Sequence, residues 1–253
     1  MIVYETVVVA FSMFSALPMP RVEWNERNLR YSLCAFPLVG LVIGLGAWGW
    51  AALAARLGFP AILRGAGLCL IPVLITGGIH LDGYADTCDA LFSHSDAETM
   101  QKILKDPHMG AFAAIRLCAY FIASFALWTA LPEAKPGALI GMFGLSRALS
   151  ALALTIFPLR GGSGLARSFA EAADKKRVRT ALIPTAAAIA LLLVASGGWA
   201  AMLVCLPVFL YYRRLCVRRF GGLSGDLAGW FLQTAELWML AALVLTQYME
   251  KAL

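Results

Sequence analysis

The sequence predicts an all-α, polytopic integral membrane protein, folded as a helical bundle with about seven transmembrane helices. Its composition, its long apolar runs and the placement of its basic residues all support this fold class. Of the 253 residues, 60% are hydrophobic and only 14% are charged, and the mean hydropathy is +0.75. Soluble globular domains are far more polar than this. The lipid bilayer is therefore the first predicted partner of the chain.

Seven apolar runs approach the roughly 20 residues that a helix needs to cross the hydrocarbon layer. They cover residues 32–55, 63–79, 110–131, 137–159, 180–196, 199–212 and 230–249. Residues 2–17 are also apolar, but this run is short and contains Glu5. It forms either an eighth span or a segment lying at the membrane surface. Because no internal repeat or linker interrupts the chain, we expect a single membrane-embedded domain over residues 1–253.

The basic residues lie mainly on one side of the predicted membrane topology. If residues 2–17 span, the connections 18–30, 80–109, 159–179 and 213–229 share one side and contain 15 of the 21 Lys and Arg residues. Cytoplasmic connections are enriched in Lys and Arg, so this side should be cytoplasmic. The net charge of +6 thus follows topology, and we expect no nucleic-acid partner. The chain is predicted to reside in the cytoplasmic (inner) membrane.

Three carboxylates follow the second of the seven apolar runs, in the segment GGIHLDGYADTCD at residues 77–89. In a helix, Asp82, Asp86 and Asp89 are spaced i, i+4 and i+7 and share one face. Like charges this close repel one another unless a cation neutralises them. Mg²⁺ takes oxygen ligands and commonly acts on phosphates, so the pattern predicts a magnesium site. The alternative is a solvated acidic face, or Asp82 acting as a helix cap.

A short amphipathic helix is expected near residues 96–105. Residues 95–98 read SDAE, which is typical of a capping box, and apolar residues follow at helical spacing. Asp106 precedes Pro107, and a residue in that position avoids the α region, so the helix should end there. Asp106 is either a further metal or substrate ligand or a turn residue. None of the three histidines forms a His-x-x-x-His pair, so zinc chemistry is not expected.

Two glycine-rich stretches lie on the predicted cytoplasmic side, GGSG at 161–164 and GGLSGD at 221–226. Exposed backbone amides near Arg or Lys suit a pyrophosphate. The second stretch, which ends at Asp226, is the stronger candidate. Arg147 and Glu236 lie inside apolar segments, where a charge must face a partner or a cavity. Arg147 could hold a phosphate, and Glu236 could pair with it or complete a site.

Several of these segments together resemble the cobalamin synthase (adenosylcobinamide-GDP ribazoletransferase) family. The resemblance covers nearly the whole chain in order and rests on FPLVGL at 36–41, TGGIHLDGYADTCD at 76–89, KDPHMG at 105–110, Ser146-Arg147, GGLSGD at 221–226, and Glu236. The chain departs from the family pattern at Ala16, His108 and Ala113, where that pattern usually has Arg, Arg and Gly.

The resemblance implies that the chain joins adenosylcobinamide-GDP to α-ribazole, or to its 5′-phosphate, with release of GMP. A hydroxyl of the acceptor would attack the phosphorus next to the cobinamide, and Mg²⁺ would neutralise the leaving charge. The implied metal ligands are Asp82, Asp86 and Asp89. The implied catalytic residues are Asp82, Asp86, Asp89, Asp106 and Arg147. The implied substrate-binding residues are His80, Gly221, Gly222, Gly225, Asp226 and Glu236.

Two other classes of protein also place acidic residues in membrane helices. Membrane transferases for CDP-alcohols or prenyl diphosphates use Mg²⁺ too, but their motifs space the Asp residues differently. Ion-coupled transporters often contain paired half-repeats, and none is evident here. The sequence leaves open the number of metal ions, the identity of the general base, the preferred base of the acceptor, and whether copies of the chain form a homo-oligomer.

Overall fold

The computed structural model describes residues 2–161 and 165–252, without the side chains of residues 2 and 165. Within these ranges the chain is built from helices, with one isolated parallel β-bridge between Leu159 and Leu223. The helices are α1 (Ile2–Phe14), α2 (Glu26–Leu29), α3 (Ser32–Arg56), α4 (Ala61–Thr76), α5 (Ile79–Phe92), α6 (Ala97–Ile103), α7 (Ala111–Ala130), α8 (Pro136–Ile156), α9 (Leu165–Ala172), α10 (Lys175–Ala195), α11 (Trp199–Arg218) and α12 (Gly225–Ala252).

Six helices are long and apolar enough to cross a membrane: α3, α7, α8, α10, α11 and α12. The pair α4 and α5 passes the same test as one broken span, which brings the count to seven. Each of the seven predicted runs overlaps one of these elements. The predicted all-α polytopic bundle is therefore confirmed.

Helices α8 and α12 form the centre of the bundle. In their most apolar stretches 83% and 72% of the residues are buried, whereas the corresponding shares in the other four long helices lie between 17% and 39%. The outer helices expose large apolar side chains, including Leu74, Ile122, Leu191 and Leu210. An apolar surface of this kind suits hydrocarbon, where helices satisfy their own backbone hydrogen bonds.

The chain turns by 96° between α4 and α5. Gly77 and Gly78 lie at this break with φ values of +66° and +82°. This left-handed region is open to glycine and costly for most other residues. The predicted run 63–79 therefore does not continue as one straight helix. The chain changes direction at the end of this run. Helix α5, which contains the Asp residues, then packs against α12 and α7.

The first and sixth helices qualify two sequence-based expectations. Helix α1 has 13 residues, or about 20 Å at 1.5 Å per residue, which is shorter than a bilayer core of about 30 Å.

The predicted short helix is present as α6, but its N-cap is Asp96, whose side chain accepts a hydrogen bond from the Thr99 amide at 2.8 Å. Ser95, the first residue of the predicted capping box, lies one residue too early for that role.

Candidate active site

Two glycines allow α5 and α12 to approach each other closely. A methyl group added at Gly83 would meet the main chain of Asp226 at 2.7 Å, and one added at Gly229 would meet the carbonyl oxygen of His80 at 2.7 Å. Side chains at these positions would force the helices apart. This contact brings the start of α12, with Asp226, next to the acidic face of α5.

Four carboxylates gather around this contact. Asp86 lies near Asp82, Asp89 and Asp226, closely enough for direct charge repulsion. Asp226 accepts a hydrogen bond from the Ser224 hydroxyl at 3.3 Å and is attracted by the guanidinium of Arg160. The acidic face predicted on α5 is thus present, and Asp226 from the glycine-rich segment joins it.

Asp89 is engaged differently from Asp82 and Asp86. Its Oδ1 accepts a hydrogen bond from the Ala113 amide at 3.2 Å, in the first turn of α7, and its carboxylate lies against Gly110. A carboxylate at a helix N-terminus satisfies free amides and complements the helix dipole. Asp89 therefore docks α7 onto α5. Its predicted role as a metal ligand stays a prediction.

Asp106 forms a turn at the end of the α6 segment. Its Oδ1 accepts a hydrogen bond from the His108 amide at 2.9 Å, and Nδ1 of His108 lies 2.8 Å from the same oxygen. The amide and the ring of His108 hold the pKa of Asp106 below its ordinary value. A carboxylate with a lowered pKa is a weaker proton acceptor. These contacts are those of the turn residue that was the alternative interpretation of Asp106.

A cavity of about 570 Å³ opens beside the acidic cluster. Its polar wall contains Asp82, Asp226, Lys105, Arg160 and Arg167. The remainder of the lining is mainly apolar and aromatic, and it includes Phe14, Phe36, Leu154, Phe169 and Leu232. His80 and Gly225, both predicted to bind substrate, also line this cavity. The arrangement of a charged wall facing an apolar one suits a small organic ligand that carries a phosphate.

A second cavity, of about 490 Å³, lies on the other side of α5. It is lined by Gly77, Gly78, Asp82, Asp86 and Pro107, among others. Ile79 and Asp82 line both cavities. Asp82 is exposed, and no donor in the described ranges is hydrogen-bonded to its carboxylate. An exposed carboxylate thus lies at the border between two cavities.

The glycine-rich segment 221–226 is anchored to the connection that follows α8. The Arg160 amide donates to the Leu223 carbonyl at 3.0 Å, and the Leu223 amide donates to the Pro158 carbonyl at 2.8 Å. A side chain at Gly222 would collide with the main chain of Arg160. Gly222 is buried in this contact and Gly221 is exposed, and neither lines the two cavities. The stretch 161–164 lies outside the described residues apart from Gly161, which lines the larger cavity.

Arg147 and Glu236 form an ion pair in the bundle core. Both side chains are buried, Nη1 of Arg147 donates to Oε1 of Glu236, and the Ser146 hydroxyl donates to the same oxygen at 2.9 Å. The expectation that both charges face the protein interior is confirmed, as is their pairing. They line a separate cavity of only about 20 Å³. The structure does not bring them to the acidic cluster, so their predicted contact with substrate stays a prediction.

The donor chemistry of the acidic cluster suits Mg²⁺, which prefers carboxylate oxygens. Asp82 and Asp86 have no hydrogen-bond donor among the described residues, and their charges repel each other. Within residues 2–161 and 165–252, however, no three His, Cys, Asp or Glu side chains form a ready-made metal cluster. A metal ion would have to draw the carboxylates closer together.

Sequence reasoning missed three residues of the larger cavity. Arg160 and Arg167 belong to the basic residues that set the topology and cluster near the GGSG stretch, but neither is predicted individually as a site residue, and Ser150 lies within a predicted apolar span. Arg160 could have been noticed from its position before the GGSG stretch. Ser150 carried no signal, because a hydroxyl in a membrane helix usually bonds to the preceding turn of its own helix.

Known proteins that share one name match this chain over nearly its whole length. A protein from Lachnoclostridium phytofermentans named adenosylcobinamide-GDP ribazoletransferase is 40% identical over 242 residues, which are 94% of this chain and 93% of that protein. A protein of the same name from Pseudomonas putida is 37% identical over 246 residues, which are 94% of this chain and 97% of that protein. No solved structure matches the chain. The family model described as cobalamin-5-phosphate synthase matches residues 6–244, and the chain therefore belongs to that family.

Proposed function

We propose that this chain is an adenosylcobinamide-GDP ribazoletransferase of the inner membrane, with its active site on the cytoplasmic face. It joins adenosylcobinamide-GDP to α-ribazole, or to its 5′-phosphate, and releases GMP. Relatives that carry this name match the chain nearly end to end. The observation that supports the proposal best is that two cavities meet at Asp82. A reaction between two substrates needs two binding spaces that share one reacting position.

The bond changes in this reaction are simple. An acceptor hydroxyl oxygen forms a bond to the phosphorus next to the cobinamide, and the bond from that phosphorus to the bridging oxygen of GMP breaks. The hydroxyl proton passes to a base, for which Asp82 is placed best, since its carboxylate is exposed and unbonded to any described donor. Arg160, Arg167 and Lys105 supply positive charge at the larger cavity, where they would orient phosphate oxygens.

The reaction as proposed depends on Mg²⁺, held by Asp82 and Asp86 with Asp226 or Asp89. When bound, the ion would neutralise charge on the pyrophosphate and on the departing GMP. The chain's own acidic residues then have two tasks, which are to hold the ion and to accept the hydroxyl proton. Asp86 lies near Asp82, Asp89 and Asp226, so four carboxylates are available for the two tasks.

The direct test is to incubate the purified protein with adenosylcobinamide-GDP, α-ribazole and Mg²⁺ and to measure GMP by mass spectrometry. We expect GMP and the joined corrinoid in equal amounts. Omission of α-ribazole is the control, because simple hydrolysis of the donor would also release GMP. Failure to release GMP with an acceptor present, in a protein that remains folded, would contradict the proposal.

A further inference from the structure

One end of the larger cavity is built from a row of rings. The ring centroids of Phe169 and Phe14 are 5.6 Å apart, those of Phe14 and Phe36 are 4.2 Å apart, and those of Phe36 and His80 are 5.8 Å apart. All four residues line the cavity. We call Phe169, Phe14, Phe36 and His80 the aromatic row. Such a row offers a flat ring system both apolar contact and favourable ring packing.

Two buried polar atoms of the same cavity lack a partner. Nε2 of His80 and Oγ of Ser150 make no hydrogen bond in the structure, although the two residues are only 6% and 0% exposed. His80 lies on α5 and Ser150 on α8, and both line the cavity. Buried polar atoms are nearly always hydrogen-bonded, and an unmade bond is costly. These two atoms therefore indicate a ligand that supplies polar groups at this depth.

The charged residues of the larger cavity indicate how a bound nucleoside is oriented. Arg160 lies close enough to the acidic cluster to attract Asp226, and Lys105 and Arg167 line the same cavity. The cations and carboxylates suit the sugar and phosphate end of a nucleoside, next to the reacting atoms. The aromatic row, with the unpartnered Nε2 of His80 and Oγ of Ser150 in the lining of the same cavity, suits a base that is flat and mostly apolar.

We propose that the larger cavity binds the acceptor nucleoside, with its base packed on the aromatic row and with His80 and Ser150 as the residues that select that base. This inference rests on the proposed transferase function. Guanine, the base of the other substrate, presents acceptors at N7 and O6 and a donor at N2, as well as further polar atoms. The aromatic row would leave most of these groups without partners. The aromatic row therefore favours the base of the acceptor over guanine.

Binding of the acceptor can be measured without turnover. The full-length chain in lipid nanodiscs is titrated calorimetrically with α-ribazole in the absence of adenosylcobinamide-GDP, and guanosine is titrated in parallel. The variants are His80→Phe, which keeps a ring next to Phe36, and Ser150→Ala, which removes only a hydroxyl. The matched control is Thr87→Val on α5, because the Thr87 hydroxyl is also buried and unpartnered but lies outside the cavity. Thermal unfolding confirms that each variant is folded.

We expect each of the two cavity variants to weaken α-ribazole binding by about three- to tenfold, the usual net effect of one hydrogen bond. Thr87→Val should bind α-ribazole as the parent protein does. In the turnover assay, KM for α-ribazole should rise by a similar factor, with KM for adenosylcobinamide-GDP unchanged. Parental affinity in both cavity variants, or guanosine binding as tight as that of α-ribazole, would overturn the inference.

The inference and the proposed function fail in different ways. If α-ribazole binds and the cavity variants weaken it, but no GMP is ever released, the assignment of the cavity stands and the transferase function is wrong. If GMP is released while His80→Phe and Ser150→Ala leave KM for α-ribazole unchanged, the function stands and the assignment is wrong.

Discussion

At the scale of single residues, the acidic cluster combines carboxylates in different states. Asp82 and Asp86 are free of hydrogen-bond donors among the described residues, Asp226 is bonded to Ser224, and Asp89 is bonded to an amide of α7. The free carboxylates keep their lone pairs for a cation or a proton. The bonded ones have part of that capacity occupied. We therefore expect substitution of Asp82 or Asp86 to reduce metal-dependent turnover more than substitution of Asp226 or Asp89.

Asp86→Asn removes one charge from the centre of the cluster and nearly preserves the shape. We expect turnover to fall on the order of 10²–10³-fold, as when one electrostatic contact to a transition state is lost. The Mg²⁺ concentration for half-maximal activity should rise, because a missing ligand lowers metal affinity. Glu98→Gln is the control, since this acid is exposed and, among the described residues, forms its ion pair with Lys102. Equal turnover in the variant and parent, or full activity in EDTA, would contradict a metal-dependent site at Asp86.

Asp106→Asn should have little effect. The asparagine side chain retains an oxygen that can accept from the His108 amide, so the turn should persist. The lowered pKa of Asp106 also makes it a poor base at neutral pH. The free energy of unfolding should change by no more than about 0.5 kcal/mol, as for an ordinary surface substitution. Turnover close to that of the parent would support the turn role. A large loss of turnover with an intact fold would instead support the predicted catalytic role of Asp106.

At the scale of helices, the contact between α5 and α12 determines the geometry of the site. Gly229→Ala should push α12 from the main chain of His80 and Gly83, at a cost of about 1–3 kcal/mol. Turnover should fall as well, because Asp226 would move away from Asp82 and Asp86. The matched control is Gly49→Ala in α3, where an added methyl meets nothing within 4 Å. Thermal unfolding and GMP release measure both effects, and a Gly229→Ala variant indistinguishable from Gly49→Ala would refute the close-contact argument.

The buried pair of Arg147 and Glu236 joins α8 to α12 in the bundle core. Arg147→Met leaves the carboxylate of Glu236 buried without its cation, and breaking a buried pair in this way costs about 3–5 kcal/mol. The double variant Arg147→Met with Glu236→Met should regain most of this stability, because no unpaired charge remains. Thermal unfolding in detergent provides the comparison. A double variant no more stable than Arg147→Met would show that the pair is not the source of the loss.

The activity of that double variant addresses the predicted substrate role of both residues. If the pair only supports the core, turnover should return together with stability. Restored stability without turnover would instead support the prediction that Arg147 and Glu236 contact substrate. The two measurements therefore separate the two roles.

At the scale of the whole molecule, the predicted membrane topology determines on which side of the membrane the cavities open. The basic connections predict that the α5–α7 segment faces the cytoplasm. A cysteine introduced at Ala97, which is exposed, should react with a membrane-impermeant thiol reagent only after the cell is permeabilised. A cysteine at Leu57, which is 57% exposed in the α3–α4 connection, should react from the opposite side. Labelling of Ala97→Cys in intact cells would overturn the predicted topology.

The sequence by itself determined the class of fold and the acidic face of α5. Both depend on local patterns, since apolar runs of bilayer length select membrane helices and a spacing of four and three residues aligns Asp82, Asp86 and Asp89 on one face. That Arg147 and Glu236 each face a partner or a cavity was also predictable, because an unpaired charge in a span is too costly. These predictions require no knowledge of which helices are neighbours.

Only the tertiary structure decided which of the predicted residues meet. The turn at Gly77 and Gly78, and the backbone contact between α5 and α12, place Asp226 beside Asp82 although 144 positions separate them in the chain. The same packing keeps Arg147 and Glu236 in the core and opens two cavities on either side of Asp82. Contacts between helices depend on the shapes of whole surfaces, which the spacing of residues within a single helix does not encode.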